Sequence, residues 1–232
     1  MHVPDGFLDL PTSVATAGVA VAGVGLALRG ARRELDDAMA PLAGLTAVFI
    51  FAGQMINFPV GVGTSGHLIG GALAALLVGP WTATLCLTVV LTVQALLFSD
   101  GGITALGTNV VLLGLVAPWV AWGLWRLLRP AFRRVLPGRG GMMTLVFISG
   151  FGSVVAAALT FVVLYLAGGV VPLDPKALAL AMVGWHALIG VGEGLITAFI
   201  VASVTKVRPD LVRALAGERA TQQLQIRTEV TS

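Results

Sequence analysis

Charge is the scarcest property of this chain. Asp, Glu, Lys and Arg make up 11% of its 232 residues, where soluble domains carry about 25%. With 57% hydrophobic residues and a mean hydropathy of +0.95, a water-soluble globule is excluded. The composition predicts an all-α integral membrane protein with one compact membrane domain. Cysteine occurs once, as Cys86 in an apolar run. Neither a disulfide framework nor a thiolate metal cluster is therefore available, and Cys86 reads as a small buried hydrophobe. HExxH, the Walker A phosphate loop and the GxSxG elbow are all missing. The chain is not its own ATPase, and no nucleophile and base point to an enzyme. No basic stretch precedes the first long apolar segment, which argues against a cleaved signal peptide.

Apolar runs predict spans over about 12–28, 39–57, 67–79, 80–98, 104–128, 142–168 and 177–204. A helix needs roughly 20 residues to cross a hydrocarbon core. The 67–79 run is too short alone, so it borrows from the Gly-rich segment before it or is a broken helix. Non-helical backbone at membrane depth is tolerated only under cover of protein or water, so residues 58–66 point to an internal cavity. Thirteen of the fourteen basic residues fall in three places: Arg29 to Arg33, Arg126 to Arg139, and from Lys206 onwards. Seven crossings with the amino terminus outside put all three in the cytoplasm, and six crossings would not. Residues 1–205 are then the membrane domain of a multi-pass cell-membrane protein. Residues 206–232 are a polar cytoplasmic tail, in which Leu211, Leu215 and Leu224 are too few to show an amphipathic helix. Gly18 with Ala22, and Gly23 with Ala27, give the first span small residues at packing distance. They serve either internal packing or docking to a membrane partner.

The most informative stretch is the first: Met-His-Val-Pro-Asp-Gly-Phe-Leu-Asp-Leu-Pro. The amine of Met1, the amide nitrogen of His2 and its imidazole can close two fused chelate rings on one ion. Three corners of a square plane are then filled. Such a nitrogen site suits Ni(II) or Cu(II), and imidazole also suits Co(II) and Zn(II). The reading requires that Met1 is retained, as the bulky His2 favours. An ordinary terminal amine has a pKa of about 7.7–8.0, so binding would release protons and weaken as pH falls. His67, beside the polar break, is the candidate fourth ligand, the alternative being a hydrogen-bonded structural histidine at a helix start. His186 and Glu193 lie mid-span, two turns apart on one helical face. They could pair through a third group, and His186 is otherwise a relay ligand or a strut. Asp5 and Asp100 could orient an imidazole or attract cations, and Asp100 could equally be turn chemistry. Gln54, Asn57, Gln94 and Asn109 could hydrogen-bond the folded-in terminus or pack between helices.

The opening Met1-His2-Val3-Pro4-Asp5-Gly6-Phe7-Leu8 resembles that of the CbiM/NikM family. These are the substrate-binding membrane subunits of energy-coupling-factor transporters for cobalt and nickel. The likeness continues through Gly63-Thr64-Ser65-Gly66-His67, Gly79-Pro80-Trp81, Gln94 to Phe98, Asp100-Gly101-Gly102, Gly107 with Asn109, and Trp185-His186 with Gly192-Glu193-Gly194. It implies a seven-helix subunit whose amino terminus plugs a central cavity. It implies an ion held by Met1, His2 and His67, transported as substrate and not kept as a cofactor. It also implies partners: a scaffold transmembrane subunit, cytosolic ATPases and a small accessory membrane subunit, which would be separate because this chain stops after seven spans. Membrane lipid is implied as surroundings and nucleic acid is not a partner. Pro4-Asp5-Gly6 resembles the nickel-type opening, where cobalt-type members tend to Met-Glu-Gly. Two other readings stand beside it: an ATP-independent divalent-cation channel or carrier, and an intramembrane metalloenzyme.

Overall fold

The computed structural model describes residues 1–61 and 64–216. It is mostly helical. Helix α1 runs over Leu10–Gly30, α2 over Met39–Gln54, α3 over Gly71–Val78 and α4 over Pro80–Leu97. Three long helices follow: α5 over Leu106–Val135, α6 over Arg139–Gly168 and α7 over Pro175–Val207. Five of these, α1 and α4 to α7, are long and apolar enough to cross a membrane. The other two expected spans are present as shorter helices. Helix α2, with 16 residues, reaches about 24 Å, and α3 has eight residues.

Helix boundaries follow local chemistry. Asp9 caps α1 by accepting from the Thr12 amide at 2.8 Å, and Asp174 caps α7 in the same way. Gly79 precedes α4 without a capping side chain, and Glu34 supplies one from the α1–α2 loop. Its carboxylate accepts from the Thr82 amide at 2.8 Å and from the Thr82 hydroxyl at 3.0 Å. Sequence reasoning passed over Glu34, because 48 residues separate it from Thr82.

Residues 58–66 were expected to be irregular. The described residues among them form a short antiparallel ribbon instead, β1 over Phe58–Gly61 and β2 over Thr64–Gly66. Non-helical backbone then continues through residues 67–70, and Gly70 enters α3 at φ +79°. There a side chain would also run into Ile50. Every residue of α3 is buried, as befits a helix that is hydrophobic all round. Ala74 and Ala75 pack with Ile50, Ala83 and Leu87, and two larger apolar clusters lie towards its two ends. One gathers Met1, Val3, Phe7, Ile69, Val110, Phe161 and Met182. The other, at the opposite end of the bundle, gathers Met39, Leu73, Leu77, Trp125, Leu145 and Val201 with Val212 and Leu215. The outward faces are apolar as well, with Leu26, Val48, Leu159, Leu195 and Phe199 exposed, the surface that lipid tails solvate. On α1 the two small-residue pairs divide. Gly23 meets Leu115 and Ala27 is buried, whereas Gly18 and Ala22 face outwards.

Candidate metal site

The amino terminus lies inside the protein. Met1 and Val3 are 1% and 2% exposed. Their backbone would be expensive to bury without partners, and Asn109 provides them. Its side-chain oxygen accepts from the Val3 amide at 2.7 Å, and its side-chain nitrogen donates to the Val3 carbonyl at 3.0 Å. The Gly102 amide donates to the same carbonyl at 2.9 Å. A side chain at Gly102 would collide with Pro4 and Asp5, so this glycine is what lets the two segments lie flush. Phe7 wedges between Phe161 and Tyr165, with ring centroids 5.4 and 5.5 Å away. Leu8 and Asp9 pair with Gly169 and Gly168 at the end of α6.

Two of the three histidines meet here. The rings of His2 and His67 stack with centroids 4.5 Å apart and planes 25° from parallel. His2 Nδ1 donates to Asp100 at 2.9 Å. His67 Nδ1 faces the Leu68 carbonyl at 2.7 Å; a carbonyl only accepts, so Nδ1 holds the proton and Nε2 keeps its lone pair. His186 repeats the pattern against the Met182 carbonyl at 2.7 Å. All three Nε2 atoms are buried and without a hydrogen-bond partner. Buried polar atoms seldom stay unpaired, which makes these three imidazole nitrogens candidate donors to a ligand.

The Met1 amine is a further buried nitrogen at this end of the chain. Burial pushes the Met1 ammonium down to about 4, against an opposing pull from Asp100. Burial also lowers His2, again against Asp100. Burial pushes the Asp100 carboxyl up, but the His2 hydrogen bond and the nearby positive charges outweigh it and hold the carboxyl below its ordinary value. A docked Met1 is thus a neutral donor at pH 7. The expected weakening of binding from pH 8 downwards moves towards the acid range in which docking itself is lost. Among the described residues, no three His, Cys, Asp or Glu side chains converge closely enough to hold a metal ion. A site at His2 and His67 must therefore draw on the amine and the backbone.

The remaining candidates divide. Asp100 does reach an imidazole. Asp5 does not: its carboxylate takes the Thr104 amide at 2.7 Å and the Thr104 hydroxyl, which fixes the turn over residues 103–105. Asn57 is exposed. The Gln54 side chain donates to the Ile69 carbonyl at 2.7 Å, so it holds the segment after His67 and not the terminus. Gln94 is buried with both side-chain atoms unpartnered. Glu193 does not pair with His186. Its two oxygens accept from the Ile69 amide at 2.7 Å and the Gly70 amide at 2.9 Å, which ties α7 to the backbone following His67. The mid-span carboxylate was visible in the sequence, but its partner, 124 residues away, carried no pattern.

A family model, CbiM, described as a cobalt uptake substrate-specific transmembrane region, matches residues 2–211. A Haloquadratum walsbyi protein named for metal transport is 40% identical over 213 residues, 91% of this chain and 93% of that one. The fused nickel transport protein NikMN of Rhodobacter capsulatus is 33% identical over 227 residues, 91% of this chain and 64% of the fused protein. A crystal structure of a transition metal transporter shares the fold at a TM-score of 0.70 and 31% identity, covering 89% of this chain and 93% of that one.

Proposed function

Because this chain belongs to the CbiM family of cobalt and nickel transport membrane proteins, transporter components and not enzymes, we propose that it is the ion-capturing subunit of an ATP-driven importer of the energy-coupling-factor type, with Ni(II) as its ion. The observation that carries this reading is the buried Met1 amine beside the stacked rings of His2 and His67, with His67 Nε2 left without a partner. Met1 supplies its amine, His2 its amide and imidazole, and His67 its Nε2. Four nitrogens in a plane suit Ni(II) better than Co(II), and Pro4-Asp5-Gly6 favours the same ion. The family description names cobalt; stronger retention of Co(II) than of Ni(II) would move the assignment and leave the architecture standing.

Chelation uses His2 Nδ1, the atom now engaged with Asp100. Closing the ring takes a half-turn of the imidazole, after which the Nε2–H becomes the group that Asp100 orients. The described basic residues of the three clusters, Arg29 to Arg33, Arg126 to Arg139 and Lys206 to Arg213, lie at the end of the bundle away from Met1. Counting α2 and α3 as crossings, that end is cytoplasmic and the ion is taken from outside. Residues 1–205 then form the membrane domain, and the tail from 206 begins in the cytoplasm. ATP hydrolysis belongs to cytosolic partner subunits, coupled through a scaffold membrane subunit and assisted by a small accessory one. The outward Gly18 and Ala22 of α1 suit close contact with such a helix. A channel is disfavoured because a four-nitrogen site holds its ion too firmly for rapid conduction.

The test is Ni(II) binding by protein with a free Met1 amine and by the same protein extended by one residue. The extension removes the amine from the chelate and is expected to abolish tight binding while the fold persists. Equal binding by both forms would overturn the reading.

A further inference from the structure

The outer ligand set leaves one imidazole unused. His186 is fully buried, 0% exposed. Its Nδ1 is committed to the Met182 carbonyl, one turn back on α7, and its Nε2 has no partner. An isolated structural histidine would use both nitrogens. The helix around it runs directly against the His67 segment. Ile189 is in the way of any side chain at Gly66, and Glu193 holds the amides of Ile69 and Gly70. These contacts seat the stretch of α7 that carries His186 against the segment that carries His67. Yet the three histidines do not form one three-residue metal group. His186 is therefore a neighbour of the outer site and stands apart from it.

Beyond His186, towards the basic end of the bundle, the seam between α6 and α7 holds further polar atoms. In this protein, helical hydroxyls ordinarily bond back to a carbonyl one turn earlier. Ser149, Thr160, Ser203 and Thr205 all do so. Ser153 and Thr197 do not; their hydroxyls are buried and unpartnered. The helices touch at Gly150 against Gly194 and at Phe151 against Gly190. Ser153 sits one turn to the Met1 side of that contact, and Thr197 one turn to the basic side. Bare hydroxyls thus flank the α6–α7 contact on both sides, one turn away in each direction.

We infer that His186 is a second, inner station for the transported divalent ion, which passes from the Met1, His2 and His67 ligands to His186 Nε2 and on along the α6–α7 seam. This rests on the capture reading above. It separates holding from passage: Met1, His2 and His67 set affinity, and His186 sets how fast the ion leaves inwards.

The experiment uses the complete transporter in cells and the purified chain in parallel, with Ni(II) as the probe. In the purified chain, H186A and H186Q are expected to bind Ni(II) within about threefold of the parent. In cells, Ni(II) uptake by both variants is expected to fall at least tenfold at equal membrane abundance and equal thermal midpoint. Unchanged uptake in both variants would overturn the inference. So would loss of equilibrium binding, which would make His186 part of the outer site. Tight binding by protein extended before Met1 would instead overturn the capture reading, and it is scored on a separate protein.

Discussion

Glu193 offers the sharpest test of how the site is held. Its two carboxyl oxygens receive two successive backbone amides, Ile69 at 2.7 Å and Gly70 at 2.9 Å, and the residue is 1% exposed. Replacing it by alanine leaves both N–H groups buried with no acceptor. Each such loss costs about 1–3 kcal/mol, so Glu193→Ala should destabilise the protein by about 2–6 kcal/mol. Glu193→Gln keeps one acceptor oxygen and should cost about half as much. Thermal unfolding in detergent reads the difference, because about 1 kcal/mol shifts the midpoint by roughly 2–4 °C in a protein this size. The same variants should lose Ni(II) affinity in the same order, since the freed backbone carries His67. A Glu193→Ala protein within about 1 kcal/mol of the parent, or no worse than Glu193→Gln, would refute the claim that this carboxylate anchors the segment.

Three further outcomes are expected. Asp100→Asn removes the charge that orients His2 and should weaken Ni(II) binding by about 10–100-fold, read by competition with a chelator of known affinity. Asn109→Ala leaves the Val3 amide without an acceptor, while its carbonyl keeps the Gly102 amide, and should cost about 1–3 kcal/mol of docking, read as faster hydrogen exchange at the Val3 amide. The pH profile follows from Met1, whose amine is held at about 4 when docked, against 8.0 when free. The undocked terminus binds the extra proton below pH 8, so docking weakens by about 1.4 kcal/mol per pH unit on acidification, down to roughly pH 4. Thermal midpoints measured from pH 8 to pH 5 should fall, and a flat profile would contradict the neutral amine.

Much of the architecture was legible because membrane helices announce themselves by length and apolarity. Six of the seven expected segments start and end within a few residues of the helices observed. The ribbon over residues 58–66 was not, since a stretch rich in Gly, Ser and Thr carries no strong strand pattern. The candidate site was legible in its donors, because an amine and an imidazole on the first two residues of a chain form a local chemical pattern. Its supports were legible only as polar residues in apolar surroundings. Asn109 was one of four equal candidates, and only the fold shows that it holds Val3 while Gln54 holds Ile69. Asp5 and Asp100 looked alike in sequence, but the chain turns one towards Thr104 and the other towards His2. Glu34 gave no signal at all, because a helix cap supplied from 48 residues away has no sequence signature.

The central claim is that the buried amino terminus is the ligand. The most direct measurement is the visible spectrum and magnetism of the Ni(II)-loaded chain with a free Met1, beside His2→Ala, His67→Ala and the one-residue extension. One yellow, diamagnetic Ni(II) per chain, lost in all three altered proteins, is the result expected of a square of four nitrogens. A paramagnetic six-coordinate ion, or a yellow ion that survives the extension, would contradict it.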